Sequence, residues 1–169
     1  LILYVRINNL WYFYTSIKLF MSEKQEFLYD FMIRHSWHRL SRMYNQKAAE
    51  HDMTMSIGFI LMNVDKEGTP STSLGPKMGM EPTSLSRTLK TMEDRGLIRR
   101  QEDAVDKRKV FIFLTDEGVE KRREVRNFVL GFNEKILDKI GKTKLNIFNE
   151  VVLKVNQLME EEMKLQNER

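Results

Sequence analysis

The sequence predicts a mainly α fold with one small β-hairpin. Three observations carry that expectation. Apolar residues recur at helical spacing along most of the chain. One short run, Lys109-Val110-Phe111-Ile112-Phe113-Leu114, is instead β-branched and aromatic. Glycines and prolines fall between these stretches, where turns are needed. Over 169 residues, 41% apolar content suffices for a core, and 31% charged residues suits a helix-rich chain of one domain. The chain contains no cysteine, which excludes disulfides, thiolate zinc sites and a thiol nucleophile or redox sensor, and a cytoplasmic location is expected.

Residues 1–20 stand apart. They are rich in large apolar and aromatic side chains (Trp11, Tyr12, Phe13, Tyr14), yet Arg6, Asn8, Asn9 and Lys18 interrupt them too often for a membrane span. No small-residue cleavage site follows, as a secretion signal would require. The reading adopted is an extension upstream of a native start at Met21, with residues 21–169 forming the folded domain. A genuine extension packing on a dimer surface is the alternative.

From Glu26 to about His51, Phe27, Phe31, Trp37 or His38, Leu40 or Met43, and Tyr44 keep helical spacing and predict a long amphipathic helix. Thr54 or Ser56 caps a second helix through Ile57, Ile60, Leu61 and Val64, stopping at Gly68. Thr69-Pro70-Ser71 reads as a break. A short third helix runs from Ser71 or Thr72 to near Gly79, with Pro76 assigned to its first turn. Pro82 suits the first turn of a fourth helix, and Gly96 its stop. Leu97–Arg100 and Lys109–Leu114 read as paired strands around a charged loop from Glu102 to Arg108. Thr115 caps a fifth helix from Asp116 to Ile140, Gly141 breaks it, and Lys144 to about Gln166 forms the sixth. Two helices joined by a tight turn and followed at once by a two-stranded ribbon describe a winged helix-turn-helix. Residues 54–114 form that lobe, and residues 24–51 and 116–166 supply the flanking helices.

The fourth helix is two-faced. Leu85, Leu89 and Met92 share one side, while Thr83, Ser84, Ser86, Arg87, Lys90 and Thr91 share the other. Small hydroxyls interleaved with cations suit a groove-binding helix, because they approach phosphates and base edges without steric cost and Arg grips guanine bidentately. A merely solvated polar face reads equally well from that helix alone. The ribbon tips the balance. Between Lys77 and Lys109 there are nine cations and six anions, concentrated on this helix and the hairpin, which adds Arg100, Lys107, Arg108 and Lys109 to the candidate DNA-binding set. Arg108 at the tip could enter a narrow minor groove. Pairing of Asp106 with Arg108 only to hold the loop is the bland alternative, and both roles are compatible.

Four segments together carry a resemblance. Ser84-Leu-Ser-Arg-Thr-Leu89, Met92-Glu-Asp-Arg-Gly-Leu-Ile-Arg-Arg100, Asp106-Lys-Arg108 and Phe113-Leu-Thr-Asp-Glu-Gly118 resemble the multiple-antibiotic-resistance regulator (MarR) family of winged helix-turn-helix transcriptional regulators. The one departure is Met92 where Leu is usual, a volume-conserving change. The likeness extends over about Lys24 to Leu165. It implies a homodimer joined through the N- and C-terminal helices, palindromic recognition of double-stranded DNA, action as a repressor, and modulation by an unidentified small molecule. The last helix supports the dimer independently: Leu145, Phe148, Val152, Val155 and Met159 give it more apolar surface than one small domain covers.

His35, His38, Arg39, Arg42 and Tyr44 on the first helix are candidates for an anionic aromatic or acyl ligand, since cations beside aromatic walls suit a carboxylate or phenolate. Surface or interface histidines are the simpler explanation. A metal site from His35, His38 and His51 lacks the ligands to complete tetrahedral coordination, and no metal, cofactor or membrane partner is expected. The competing functional class is a winged-helix interaction module or an enzyme, because fold alone does not fix function. An enzyme would need a nucleophile–base pair or metal that no motif supplies. An interaction module would not need cations on both helix and wing.

Overall fold

The computed structural model describes residues 28–168. The reading of residues 1–20 and Met21 therefore lies outside the described residues. The described residues fall into two units, one ending at Lys47 and the other beginning at Ala48.

Helix α1 spans Tyr29–Ala49, with Asp30 in its first turn and Lys47 in its last, each favourable to the helix dipole. It ends two residues before His51. The Met53 amide donates to the Ala48 carbonyl at 2.9 Å and the Asp52 amide to Ala49 at 3.1 Å. This double closure places Asp52 in the left-handed region (φ 55) that glycine usually fills.

In the second unit, α2 (Met55–Asn63) is capped by Thr54, whose hydroxyl accepts the Ile57 amide at 3.3 Å. It stops at Asn63, not at Gly68. Val64 turns extended, and the Asp65 amide donates to the Thr69 hydroxyl at 2.8 Å. Gly68 sits instead in the following turn at φ +89, where a Cβ would lie 2.4 Å from the Phe113 ring. The expected break at Thr69-Pro70 is a two-residue strand, β1 (Thr69–Pro70), which pairs antiparallel with β3 through Thr69↔Ile112 and Pro70↔Phe111. An edge position tolerates the missing proline donor.

Helix α3 (Ser71–Met78) contains Pro76 as its sixth residue, outside the first turn to which the sequence assigned it; the lost hydrogen bond matters little because Gly79 ends the helix in a left-handed cap. Helix α4 (Pro82–Asp94) follows with proline at its start. Strands β2 (Ile98–Glu102) and β3 (Val110–Leu114) pair from Ile98↔Leu114 to Glu102↔Val110, giving a sheet ordered β1-β3-β2. Helix α5 (Asp116–Ile140) is capped by Thr115, and α6 (Lys142–Asn167) starts directly after Gly141, two residues earlier than the spacing suggested. Six helices and a three-stranded antiparallel sheet make up the described residues.

The core is assembled from α2, α3, α4 and the sheet. Ile60, Leu61, Leu74, Met92 and Ile112 are fully buried, and Met53, Ile57, Val64, Leu85, Leu89, Leu97 and Ile98 complete it. Helix α5 reaches this core through Val125, whose side chain lies 3.5 Å from where a Cβ on Gly58 would stand. Its Arg122 donates to the Val64 carbonyl at 3.0 Å.

Candidate nucleic-acid interface

Two close approaches set α4. Gly75 lets the α3–α4 turn close: a Cβ there would stand 3.1 Å from the Met80 carbonyl, whose own amide donates back to Gly75 at 3.0 Å. At the other end Gly96 (φ +68) allows the Leu97 amide to reach the Met92 carbonyl and its own amide to reach Glu93, both at 2.9 Å. These paired bonds satisfy the last carbonyls of the helix and send the chain straight into β2. Arg95, at the cap, donates to the Asp52 carbonyl.

With Leu85, Leu89 and Met92 buried, the opposite side of α4 is fixed outward. Thr83, Ser84, Ser86, Arg87, Lys90 and Thr91 are all exposed. Their engagements differ. The Thr91 hydroxyl donates to the Arg87 carbonyl at 3.1 Å, leaving its oxygen as an acceptor. Lys90 pairs with Asp94 one turn on, at 3.5 Å, both side chains well exposed. The Arg87 guanidinium has no ion pair or hydrogen bond with any described residue, and neither does the Lys107 ammonium in the hairpin loop. A free guanidinium on a fixed, hydroxyl-rich helix face is available to an external acceptor.

The hairpin loop is internally ordered. Asp103 accepts the amides of Val105 at 2.9 Å and Asp106 at 2.8 Å through one carboxylate oxygen. Those bonds, Asp106's first, hold the Asp103 carboxyl below the usual carboxylate range. The Lys109 amide donates to the Asp106 carbonyl at 2.8 Å, and the Asp103 amide to the Lys109 carbonyl at 2.9 Å. Arg108 donates to Asp106 through its amide at 3.2 Å and its Nε at 3.1 Å, although the Arg108 side chain is 93% exposed. Asp106 therefore orients the base of Arg108 while most of its guanidinium stays in solvent. Arg100 is held differently: its Nε lies 3.0 Å from Glu93 of α4.

Several participants are not apparent from composition. Glu93 and Asp103 register in the sequence only as negative charges, although the Asp-x-x-Asp spacing of residues 103–106 is the signal for a side chain that closes a turn on the backbone ahead of it. Arg99, on the sheet face opposite Arg100, lies 4.3 Å from the centroid of the Phe113 ring and donates to Gln101 at 2.7 Å. Strand alternation across the Arg99↔Phe113 register would have placed that pair.

The ligand candidates belong to the first unit, on α1. At about 100° per residue, His35, His38, Arg39 and Arg42 cluster on one side of the helix. Tyr44, nine residues past His35, falls about half a turn away and does not join them. His35 stacks on Phe31 at 6.0 Å, and its Nε2 is buried without a hydrogen bond. Burial raises the Tyr44 hydroxyl above its ordinary pKa. Of the three histidines weighed for a metal, His51 has its Nδ1 3.3 Å from Glu124, which also binds Lys121 at 3.2 Å.

The five dimerisation candidates lie on α6, a helix with no buried residue. Leu145, Val152 and Val155 are half-buried, whereas Phe148 and Met159 are exposed, as are Ile147, Val151, Leu158 and Met163. Among the described residues no helix is long and apolar enough to cross a membrane.

Comparison with known proteins bears on this arrangement. Residues 53–110 match the model of the MarR family. The chain is 33% identical over 82 residues to the HTH-type transcriptional regulator TtmR of Methylorubrum extorquens, covering 48% of this chain and 42% of that protein. It is 28% identical over 126 residues to the transcriptional regulator HosA of Escherichia coli, covering 71% of this chain and 93% of that protein. The fold is that of MepR from Staphylococcus aureus in its complex with DNA, with a TM-score of 0.72 at 20% identity over 79% of this chain and 99% of that one.

Proposed function

Since the chain belongs to the MarR family of winged helix-turn-helix transcriptional regulators, which are not enzymes, we propose that it binds double-stranded DNA with α4 in the major groove and the β2–β3 wing against the adjacent minor groove. The observation that carries this reading is the outward side of α4, where Arg87 stands free among four exposed hydroxyls, beside a wing tip on which Asp106 presents an exposed Arg108. The core beneath α4 and the loop hydrogen bonds already fix the backbone that carries these side chains, so binding need order only the side chains themselves. Lys107 and Lys109 add sequence-independent attraction to phosphates.

The active species is a homodimer joined through its terminal helices. Leu145, Phe148, Val152, Val155 and Met159 follow the alternating three- and four-residue spacing of a helix-packing seam. No residue of that seam is fully buried within the chain, Phe148 and Met159 are exposed, and a second copy would cover it. Two copies related by a twofold axis read two half-sites, so the operator is palindromic, its half-sites about one helical turn apart. Occupying such a site in a promoter excludes polymerase, which makes repression the simplest outcome. A small anionic ligand on the α1 side bearing His35, His38, Arg39 and Arg42 would release it.

Selection of duplexes from random DNA by the full chain, followed by gel shift, tests the reading. Enrichment of one inverted repeat is expected, including in DNA upstream of the chain's own gene. Enrichment of nothing would leave the interaction-module alternative standing.

A further inference from the structure

An ion pair between Glu93 and Arg100 links helix α4 directly to the wing. Arg100 shares its sheet face with Ile98 and stands across the ladder from Ile112, both buried, so its side chain runs along the core side of β2 before emerging beside α4. There its Nε lies 3.0 Å from the Glu93 carboxylate, the two side chains 35% and 42% exposed. Glu93 is placed six residues beyond Arg87, about 240° round the helix, between the buried stripe ending in Leu89 and the outward side bearing Ser86. An unpaired carboxylate there would repel any polyanion lying on the outward side.

We infer that Arg100 is a positioning residue, not a phosphate contact: through Glu93 it fixes the angle between α4 and the wing and cancels an acid at the edge of the reading surface. This deepens the proposed function and rests on it. The chain spaces the partners across the Gly96 turn, and the hairpin beyond is a two-stranded lever with its tip at Arg108. A small rotation at Arg100 becomes a larger displacement of the tip. The sequence-level view counted Arg100 with the DNA-binding cations. The geometry gives its charge to Glu93 instead, just as Asp94 engages Lys90.

The experiment uses the full chain, the duplex enriched by random selection, and a scrambled duplex of the same length. Glu93→Gln and Arg100→Gln are each expected to lower the preference for the selected over the scrambled duplex by roughly three- to tenfold, and the double variant to fall no further than the worse single, the signature of a coupled pair. Arg100→Gln should lower the salt slope of scrambled-DNA binding by clearly less than one per subunit, because no phosphate contact is lost. The reciprocal exchange Glu93→Arg with Arg100→Glu should recover most of the preference. A salt slope reduced by about one per subunit in Arg100→Gln, with Glu93→Gln retaining full preference, would make Arg100 a phosphate contact and overturn the inference. So would single variants indistinguishable from the parent, or an exchange that recovers nothing. Failure of the selection itself would instead remove the DNA-binding reading, and the two failures are told apart at the first step.

Discussion

The winged lobe and the last helix of this chain treat apolar side chains in opposite ways. Among the described residues, the twelve buried apolar side chains all lie between Met53 and Ile112, on three helices, the sheet and the turns between them, with partly buried Ala48, Leu114 and Val125 packing on them from outside that span. Helix α6 has 26 residues and buries none of them, while Ile147, Phe148, Val151, Leu158, Met159 and Met163 are at least half exposed. The lobe is self-sufficient, and its outward face is left to polar groups. The helix is written for contact with a surface that the single chain does not provide, since exposed apolar area on this scale marks an interaction site. Stability of the first should thus be insensitive to protein concentration, and that of the second should depend on it.

The largest expected effects probe each half in turn. Gly118 lies at the exit from the lobe, its amide donating to the Thr115 hydroxyl at 3.1 Å, and a Cβ there would stand 2.0 Å from the Leu97 carbonyl. Gly118→Ala must push α5 away from the turn that ends α4, at a cost of about 3 kcal/mol. Thermal denaturation would show it as a drop in melting temperature at every concentration; a loss below about 1 kcal/mol would mean the junction yields freely. Val152→Glu should act on the other region alone. Burying an uncompensated carboxylate in the α6 seam costs about 3–5 kcal/mol of association, hence a hundredfold or more in dimer dissociation constant. Sedimentation should then find monomers whose lobe still melts cooperatively, whereas an unaltered dimer would place the interface elsewhere.

Two smaller effects sharpen the lobe's side of the contrast. Asp52 occupies a left-handed backbone conformation (φ 55) that costs an L-residue energy glycine avoids, so Asp52→Gly should raise stability by about 0.5–1 kcal/mol. A decrease in denaturation midpoint would contradict that. The Asp103 carboxyl is held below its unfolded pKa by the amides of Asp106 and Val105. Its contribution is therefore present above the unfolded carboxylate pKa and is lost as pH falls through the depressed value. Relative to the intrinsic exchange rate at each pH, protection of the Val105 and Asp106 amides should fall only on acidification below the ordinary carboxylate range, with the core amides unaffected. Protection already lost near neutral pH would show that Asp103 does not order the loop.

What the sequence revealed follows the same division. The caps at Thr54 and Thr115, the glycine stop at Gly96 and the buried stripe of α4 are local signals with local causes, and each is where the residues put it. Strand β1 was not legible, because two residues carry no period and Pro70 reads as a break until Phe111 and Ile112 stand beside it. The overlong second helix has the same origin: nothing near Val64 says that the Thr69 hydroxyl will capture the Asp65 amide. At the candidate interface, face assignment on α4 came from spacing alone, whereas the pairing of Arg100 with Glu93 needed the sheet register. Tyr44 was grouped with His35 by nearness in sequence, and helical geometry separates them.

The central claim, that Arg87 and Arg108 present this lobe to DNA, is tested most directly by a salt titration of binding to the selected and scrambled duplexes. Arg87→Ala is expected to cost about 1–3 kcal/mol per contact on the selected duplex and relax preference at one symmetric position of each half-site. Arg108→Ala should weaken binding to both duplexes and reduce the salt slope by about one per lost phosphate contact, counted twice in a dimer. Both changes leave the buried side of α4 intact, so circular dichroism should be unchanged. A folded double variant with the parent's affinity and salt slope would contradict the account.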